Sequence, residues 1–95
     1  MVYIDSPRPV FFKGRERMTC HCISESLEEL HDFAERLGLP RRIFQDKPGR
    51  PHYDLFDEYI DKALQLGARQ VRNRELLLLL IKHYEKPKIN FNSLT

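Results

Sequence analysis

The sequence lacks most of the features that mark the large function classes. It has only two cysteines, which are separated by one residue and cannot form an ordinary disulfide framework. No segment resembles a signal peptide, and the run from Leu76 to Ile81 is far too short to span a bilayer. There is no glycine-rich phosphate loop. We therefore expect a protein of the reducing cytoplasm that has no membrane partner.

Charge of one sign is also scarce overall. The formal net charge of +2 is too small for a general nucleic-acid binder, so we expect no stable complex with a duplex. The first seventeen residues have four cations and two acids, whereas residues 25–37 have five acids and one arginine. Positive charge is thus concentrated in the N-terminal segment and in a central loop, which favours a local anionic ligand.

The length and the order of predicted elements indicate one small domain. Ninety-five residues with 41% hydrophobic content support one modest core. We assign residues 1–86 to a single α/β domain and residues 87–95 to a polar C-terminal tail. Strand patterns alternate with helix patterns, which predicts a layered domain with a short, partly parallel sheet of three to four strands and about three helices.

The N-terminal segment predicts a strand followed by a basic arm. Val2–Ile4 has the β-branched and aromatic residues of a strand, and Pro7 stops it. Asp5 then lies at the carboxyl end of that strand, where α/β sheets place ligand groups, or it caps the turn before Pro7. Residues 8–17 predict a mobile flap or the arm of a hairpin.

Residues 18–23 predict a second strand that contains both cysteines. Strand side chains alternate, so Cys20 and Cys22 share one face and His21 points to the other. This geometry argues against a Cys-His-Cys zinc site, and zinc sites also use more widely spaced ligand pairs. We expect the cysteines to be unreactive core residues, and His21 to be either structural or functional.

The helices are predicted from their caps and their apolar spacing. Ser26 and Glu29 form a capping box, and Gly38 favours a left-handed stop. A third strand, or an irregular run, is expected at residues 42–45. A second helix is predicted, capped by Asp54 or Asp57 and ending at Gly67. Its expected buried side consists of Phe56, Ile60, Ala63 and Leu64. A last strand is expected at residues 69–71, followed by a third helix from Asn73 to about Glu85.

The third helix is apolar on all sides for nearly two turns. Five leucines and Ile81 follow one another from Leu76, whereas a surface helix of a monomer shows one apolar stripe. A 95-residue chain has little material to cover both sides of such a helix. We therefore predict a homodimer in which residues from Leu76 to Ile81 contribute to the contact, the other option being a helix sandwiched within the domain.

The central loop, residues 38–55, is the most informative segment. It holds three of the six prolines, two of the four glycines and four cations, and it closes on a His-Tyr-Asp triplet. A long connector in so small a domain is usually functional or disordered. Disorder fits poorly, because the loop contains anchors that a solvated linker lacks: Ile43, Phe44, Tyr53 and Leu55.

Several segments together carry a resemblance to a known family. They are Val2-Tyr3-Ile4-Asp5, Cys20-His21, Ser26-Leu27-Glu28-Glu29-Leu30-His31, Arg41-Arg42-Ile43-Phe44-Gln45, Pro51-His52-Tyr53-Asp54-Leu55, Leu66-Gly67-Ala68 and Arg74-Glu75-Leu76. The chain resembles, over residues 1 to about 82, the small bacterial and phage domain-of-unknown-function family numbered four-zero-three-one. The polar residues that match the family pattern are of the types that build a site: Asp5, His21, Arg42, Gln45, His52 and Asp54.

Our leading functional hypothesis is a pocket for a phosphorylated, nucleotide-like ligand. Arg41 and Arg42 offer planar forks for phosphate. The other expected ligand-binding residues supply hydrogen bonds or a stacking ring: Asp5, His21, Gln45, His52, Tyr53 and Asp54. By analogy, a phage-like domain of this kind would sequester a host immune nucleotide signal, such as a cyclic nucleotide or an ADP-ribose derivative. This hypothesis requires no cofactor, no catalytic residue and no metal.

Two alternatives remain open. A small phosphodiesterase or nuclease-like hydrolase would use two histidines as acid and base, with Asp5 and Asp54 holding a divalent cation. We rank it second because metal-dependent phosphoryl chemistry usually needs more converging carboxylates than these. The third hypothesis is a protein-interaction module that uses the leucine-rich helix, which would leave the histidines and arginines without a joint role.

Overall fold

The α/β class predicted from the sequence is confirmed, although the sheet of the described part has five strands instead of the three to four expected, because the basic N-terminal segment forms a strand of its own. The computed structural model describes residues 1–84; the predicted tail, residues 87–95, lies outside the described residues. Five strands and three α-helices occur in the described part: β1 (Val2–Ile4), β2 (Arg8–Phe12), β3 (Arg15–Ser24), α1 (Leu27–Leu37), β4 (Tyr53–Phe56), α2 (Glu58–Gln65), β5 (Arg69–Gln70) and α3 (Asn73–Tyr84). No helix among them is both long enough and apolar enough to cross a membrane.

The long strand β3 organises the sheet. Its Thr19 pairs with Arg8 of β2 on one edge and with Phe56 of β4 on the other. Cys22 likewise lies between β1 and β4. Strands β1 and β2 therefore follow each other along one edge of β3, while β4 occupies the opposite edge. β5 runs parallel to β1, which accounts for the partly parallel character predicted for the sheet.

The basic N-terminal segment forms a hairpin. Strands β2 and β3 pair antiparallel from Arg8 to Phe12, around a two-residue turn at Lys13 and Gly14. Both turn residues have positive φ, 52° and 82°, as a tight hairpin turn requires, and glycine adopts this conformation without strain. Of the two alternatives for this segment, the hairpin arm is the one observed.

The capping box of α1 is present in modified form. The Ser26 side chain accepts a hydrogen bond from the Glu29 backbone N–H, as predicted. Glu29 does not reach back to Ser26 directly. Instead, the Ser24 hydroxyl donates to Glu29 and accepts from the Ser26 N–H, so that Ser24 links the two halves of the box. Gly38 ends the helix with a φ of 87°, also as predicted.

The segment before α2 is where the sequence prediction was wrong. Phe56, expected on the buried side of a helix, lies in strand β4. Asp54 also lies in β4 and caps no helix. Asp57 does precede α2, but its carboxylate accepts hydrogen bonds from Arg17 (2.6 Å) and from the Met18 N–H (3.1 Å) and not from the helix. Leu64, expected to be buried, is 39% exposed.

The sheet separates two apolar clusters. One face packs against α1 and α2 and contains Cys20, Cys22, Tyr53 and Leu55, all at most 2% exposed. On the other face Ile23 packs against Val71, Leu76 and Leu80, so that α3 covers part of that face. Consecutive residues of one strand therefore serve different clusters, as the alternation of side chains dictates.

The cysteines occupy the face expected for them. Both thiols are buried in the cluster beneath α1, and this burial raises the pKa of Cys20 and of Cys22 to about 12. The reactive thiolate is thus strongly disfavoured at neutral pH. His21, between them in the sequence, points to the opposite face of the sheet.

Candidate functional site

An open cleft lies between the α3 side of the sheet, helix α3 and the central loop. Its volume is about 620 Å³. Two acids and two histidines, three cations, two amides and four apolar side chains line it: Asp5, Asp54, His21, His52, Arg8, Lys47, Arg50, Gln45, Asn73, Ile23, Leu76, Leu77 and Leu80.

Asp5 is built into the sheet at the end of β1. Its backbone N–H donates to the His21 carbonyl (3.2 Å), and its carboxylate accepts from the His21 backbone N–H (2.6 Å). The Asp5 side chain therefore takes the place of a backbone carbonyl in the β1–β3 ladder, at the point where the chain turns away from β3 towards Pro7. The second carboxylate oxygen lies 2.6 Å from Nδ1 of the His21 ring. Asp5 is only 2% exposed, so this carboxylate orients the imidazole from the buried side of the ring.

Strand pairing brings Asp54 and His52 to the same place. Asp54 of β4 is the register partner of His21, and a bridge between Gln45 and His52 extends the pairing beyond the end of β4. The Asp54 carboxylate lies 3.4 Å from Nε2 of His52 and 4.0 Å from Nε2 of His21. The two imidazole rings meet edge to face, with centroids 5.0 Å apart. Residues far apart in the chain thus form one compact cluster.

The electrostatics of this cluster favour an ionised Asp54. Burial lowers the pKa of His52, but the hydrogen bond with Asp54 and the bond to the Arg50 carbonyl outweigh it, so that the pKa is raised overall. The hydrogen bond from His52 in turn lowers the pKa of Asp54, against the opposing effect of burial. The floor of the cleft therefore presents a carboxylate next to an imidazole that holds a proton readily. Ring nitrogens and carboxylate oxygens are also the donor types that transition metal ions bind.

The cations of the rim come from a tight turn and from the hairpin. The Arg50 N–H donates to the Lys47 carbonyl across Pro48 and Gly49, whose φ is 72°. Proline and glycine in these two positions are typical of a type II turn. Lys47 and Arg50 are thereby held side by side at the cleft. Arg8, at the start of β2, lies 3.9 Å from the Asp5 carboxylate and also lines the cleft.

The structure brings five of the eight predicted ligand-binding residues together in this cleft and leaves three outside it. Asp5, His21, Gln45, His52 and Asp54 line it. The three residues outside it are Arg41, Arg42 and Tyr53.

The predicted convergence of Arg41, Arg42 and Tyr53 with the other site residues is not observed. The arginines lie exposed in a short 3-10 helix, Arg41–Ile43, and do not line the cleft. Tyr53 is 1% exposed on the opposite face of the sheet, where its hydroxyl is 2.8 Å from Nδ1 of His31. The reason is strand alternation, which separates Tyr53 from His52 and Asp54.

Sequence reasoning missed several cleft residues: Arg8, Lys47, Arg50, Asn73 and Leu77. Two of them had a recognisable signal, because Lys47 and Arg50 flank a Pro-Gly turn that forces them together. Asn73, predicted as a helix cap, accepts a hydrogen bond from the Ser6 N–H and so ties the start of α3 to the segment after Asp5.

The family comparison agrees with the resemblance drawn from the sequence. The model of a family described as "Protein of unknown function (DUF4031)" matches residues 2–83, most of the chain. The chain belongs to this family. The matched range of the DUF4031 domain includes every cleft residue from Asp5 to Leu80. No curated protein and no solved structure matches the chain significantly.

Proposed function

We propose that the cleft binds a phosphorylated, nucleotide-like small molecule. The observation that carries this proposal is the set of three cations, Arg8, Lys47 and Arg50, around a cavity of about 620 Å³. A volume of this order is typical of sites for small organic ligands. With two carboxylates among the lining residues, the three cations are in excess by one, which favours an anionic ligand.

The chemistry of the lining suits the two parts of such a ligand. The guanidinium groups of Arg8 and Arg50 can bind phosphate oxygens through paired N–H donors, and Lys47 adds a point charge. Gln45 provides an amide that can hydrogen-bond a base or a ribose. Leu77, which is 48% exposed, offers an apolar surface for a ring.

A protein that binds such a ligand without converting it acts by lowering its free concentration, as expected of a phage sponge for a host immune nucleotide such as a cyclic nucleotide or an ADP-ribose derivative.

A second candidate function is hydrolysis of a phosphoester. The observation that favours it is the pair of imidazoles beside Asp54 on the cleft floor, within reach of a ligand held by the rim. Histidines in such positions can act as general acid and base. Asp5, which orients His21, would then serve as a positioning residue.

Replacing Arg50 should weaken ligand binding. If Arg50 makes a charge-assisted contact to phosphate, Arg50→Ala should lose roughly 1.5–3 kcal/mol, which is about a tenfold to hundredfold weaker Kd. Arg50→Lys should recover only part of the affinity, because an ammonium cannot present the planar fork. The measurement is a thermal-shift screen with linear nucleotides, cyclic nucleotides and ADP-ribose derivatives, followed by titration of any hit.

Arg41→Ala is the matched control for this experiment. It removes an exposed arginine of the same connector that does not line the cleft, so it should leave the Kd unchanged. Chromatography of each mixture after heat denaturation separates the two functions: an unchanged ligand supports sequestration, and a new product supports hydrolysis. If no nucleotide stabilises the protein, or if Arg41→Ala weakens binding as much as Arg50→Ala does, the proposed site is refuted.

We also propose that the chain forms a homodimer through α3. Leu76 and Leu80 pack against the sheet and Leu77 lines the cleft, whereas Leu78 is 57% exposed and does not line the cleft. Light scattering should give a mass about twice the 11.4 kDa of one chain. Leu78→Glu should produce a monomer, because a charge would be buried in the contact. The side chain of Ile81, the last residue predicted in the contact, lies outside the described part.

A matched control for the assembly is Leu64→Glu on α2. Leu64 is an exposed leucine of similar accessibility, 39%, on a different helix, so its substitution should leave the dimer intact. A wild-type monomer at micromolar concentration would contradict the dimer.

A further inference from the structure

We propose that His21, His52 and Asp54 form a binding site for one divalent transition metal ion, with Zn²⁺ as the expected occupant. One ring nitrogen from each histidine and one oxygen from Asp54 lie within 4.8 Å of one another. Ligand atoms of a tetrahedral zinc ion are about 3.3 Å apart, since its bonds to nitrogen and oxygen are about 2.0–2.1 Å long. Nε2 of His52 and Oδ1 of Asp54 are already close to this separation, at 3.4 Å, and the same oxygen lies 4.0 Å from Nε2 of His21.

The other nitrogen of each ring is already bound in the way that metal-ligating histidines require. Nδ1 of His21 lies 2.6 Å from the Asp5 carboxylate, and Nδ1 of His52 lies 2.8 Å from the Arg50 carbonyl. Carboxylate and carbonyl oxygens only accept hydrogen bonds, so both rings donate through Nδ1 and turn Nε2 towards the shared gap, where a metal ion would replace the proton that His52 donates to Asp54. Histidines that bind metals almost always donate their second N–H to a carboxylate or a backbone carbonyl in this manner. The Asp5 carboxylate and the Arg50 carbonyl thus orient Nε2 of His21 and Nε2 of His52 towards the same metal ion.

The exposed fraction of these side chains rises from Asp5, in the interior, to Asp54, at the cleft. Asp5 is buried, His52 has 12% of its side chain exposed, and His21 and Asp54 have 33% and 39% exposed. A metal ion held by the three would keep at least one coordination position open to the cleft. Three protein ligands and an open position are typical of a metal ion that binds water or a ligand, whereas structural zinc sites are closed by four.

The donor set decides which ions fit. Two imidazole nitrogens and one carboxylate oxygen suit Zn²⁺ and other first-row transition metals, whereas Mg²⁺ and Ca²⁺ prefer oxygen ligands alone. The two cysteines take no part, because they lie on the other face of the sheet. This inference does not depend on the proposed nucleotide ligand, since the ion alone can be tested.

The test is a titration of chelator-treated full-length protein with Zn²⁺ alone, followed by elemental analysis after dialysis. We expect one equivalent per chain and a rise in melting temperature. His52→Ala should weaken the Kd for Zn²⁺ at least a hundredfold, because it removes one of three ligands. Asp5→Asn should weaken it about tenfold to a hundredfold, which is the usual effect of altering the group that orients a ligand.

His31→Ala is the matched control, because His31 is a histidine on the opposite side of the sheet, next to Tyr53. It should bind Zn²⁺ as the wild type does. Asp54→Asn, which keeps the shape of a half-exposed side chain, tests the same site if His52→Ala does not fold. The proposal is overturned if the wild type retains no metal. It is also overturned if the His52 and Asp54 variants retain zinc with unchanged affinity, as they would if the cysteines bound it, or if His31→Ala loses as much affinity as they do.

Discussion

Asp5→Ala should lower the free energy of unfolding by about 3 kcal/mol. A hydrogen bond to a charged group contributes about 1.5–3 kcal/mol, and a buried donor left without a partner costs about 1–3 kcal/mol. Asp5 accepts from both the backbone and the ring of His21, and it is 2% exposed, so water cannot easily replace it. Denaturant unfolding at neutral pH measures the effect.

Two further variants separate charge from position. Asp46→Ala removes an exposed acid that does not line the cleft, and it should change stability by less than about 0.5 kcal/mol. Asp5→Asn keeps an oxygen for the His21 backbone N–H but turns an N–H₂ group towards Nδ1. The proton of His21 should then move to Nε2, which nitrogen NMR of the ring detects. An Asp5→Ala variant as stable as the wild type would show that the hydrogen bonds of Asp5 with His21 do not stabilise the fold.

Short-range patterns were sufficient to predict several elements of this fold. The β-branched start at Val2–Ile4, the capping residue Ser26 and the stop at Gly38 each act within one or two turns of chain, and each is found where the pattern predicts it. The alternation that separates His21 from Cys20 and Cys22 is equally local, and it too is confirmed. These features depend only on neighbouring residues, so one sequence is enough to predict them.

Strand β4 could not be predicted in the same way. Phe56 is followed by Asp57 and by apolar residues at helical spacing, so the pattern predicts a helix that Asp54 or Asp57 caps. Its extended form is stabilised by pairing with β3, more than thirty residues earlier. The same pairing sets Asp54 opposite His21, so the central contact of the candidate site is a long-range one.

The identity of the rim cations was also beyond local reasoning. The central loop has four cations, and the sequence analysis favours Arg41 and Arg42 because their guanidinium groups offer planar forks for phosphate. In the structure those two begin a 3-10 helix away from the cleft, whereas the Pro-Gly turn directs Lys47 and Arg50 towards it. Residue types therefore predict polar and cationic side chains around this loop, but only the backbone path decides which cations line the cleft.

The His-Tyr-Asp triplet tests whether strand alternation separates core residues from cleft residues. Tyr53, in the core, should contribute strongly to stability, whereas its neighbour Asp54, in the cleft, should contribute little. Tyr53 is 1% exposed and packs with the core residues Cys22 and Leu55 beneath α1. Truncating a buried aromatic side chain to alanine typically costs about 3–5 kcal/mol, so Tyr53→Ala should be the most destabilising substitution in the loop. Tyr53→Phe removes only the hydroxyl next to His31 and should cost about 0.5–1.5 kcal/mol.

Asp54→Asn should behave in the opposite way, because its side chain is 39% exposed on the other face of the sheet. It replaces the partner of His52 with a group of the same shape, so its effect on unfolding should stay within about 1 kcal/mol, as for a half-exposed hydrogen bond. Parallel denaturant unfolding of the three variants measures the order directly. If Asp54→Asn destabilised the protein as much as Tyr53→Ala, the pairing register of β3 and β4 would be wrong, and with it the cluster of His21, His52 and Asp54 on which the site depends.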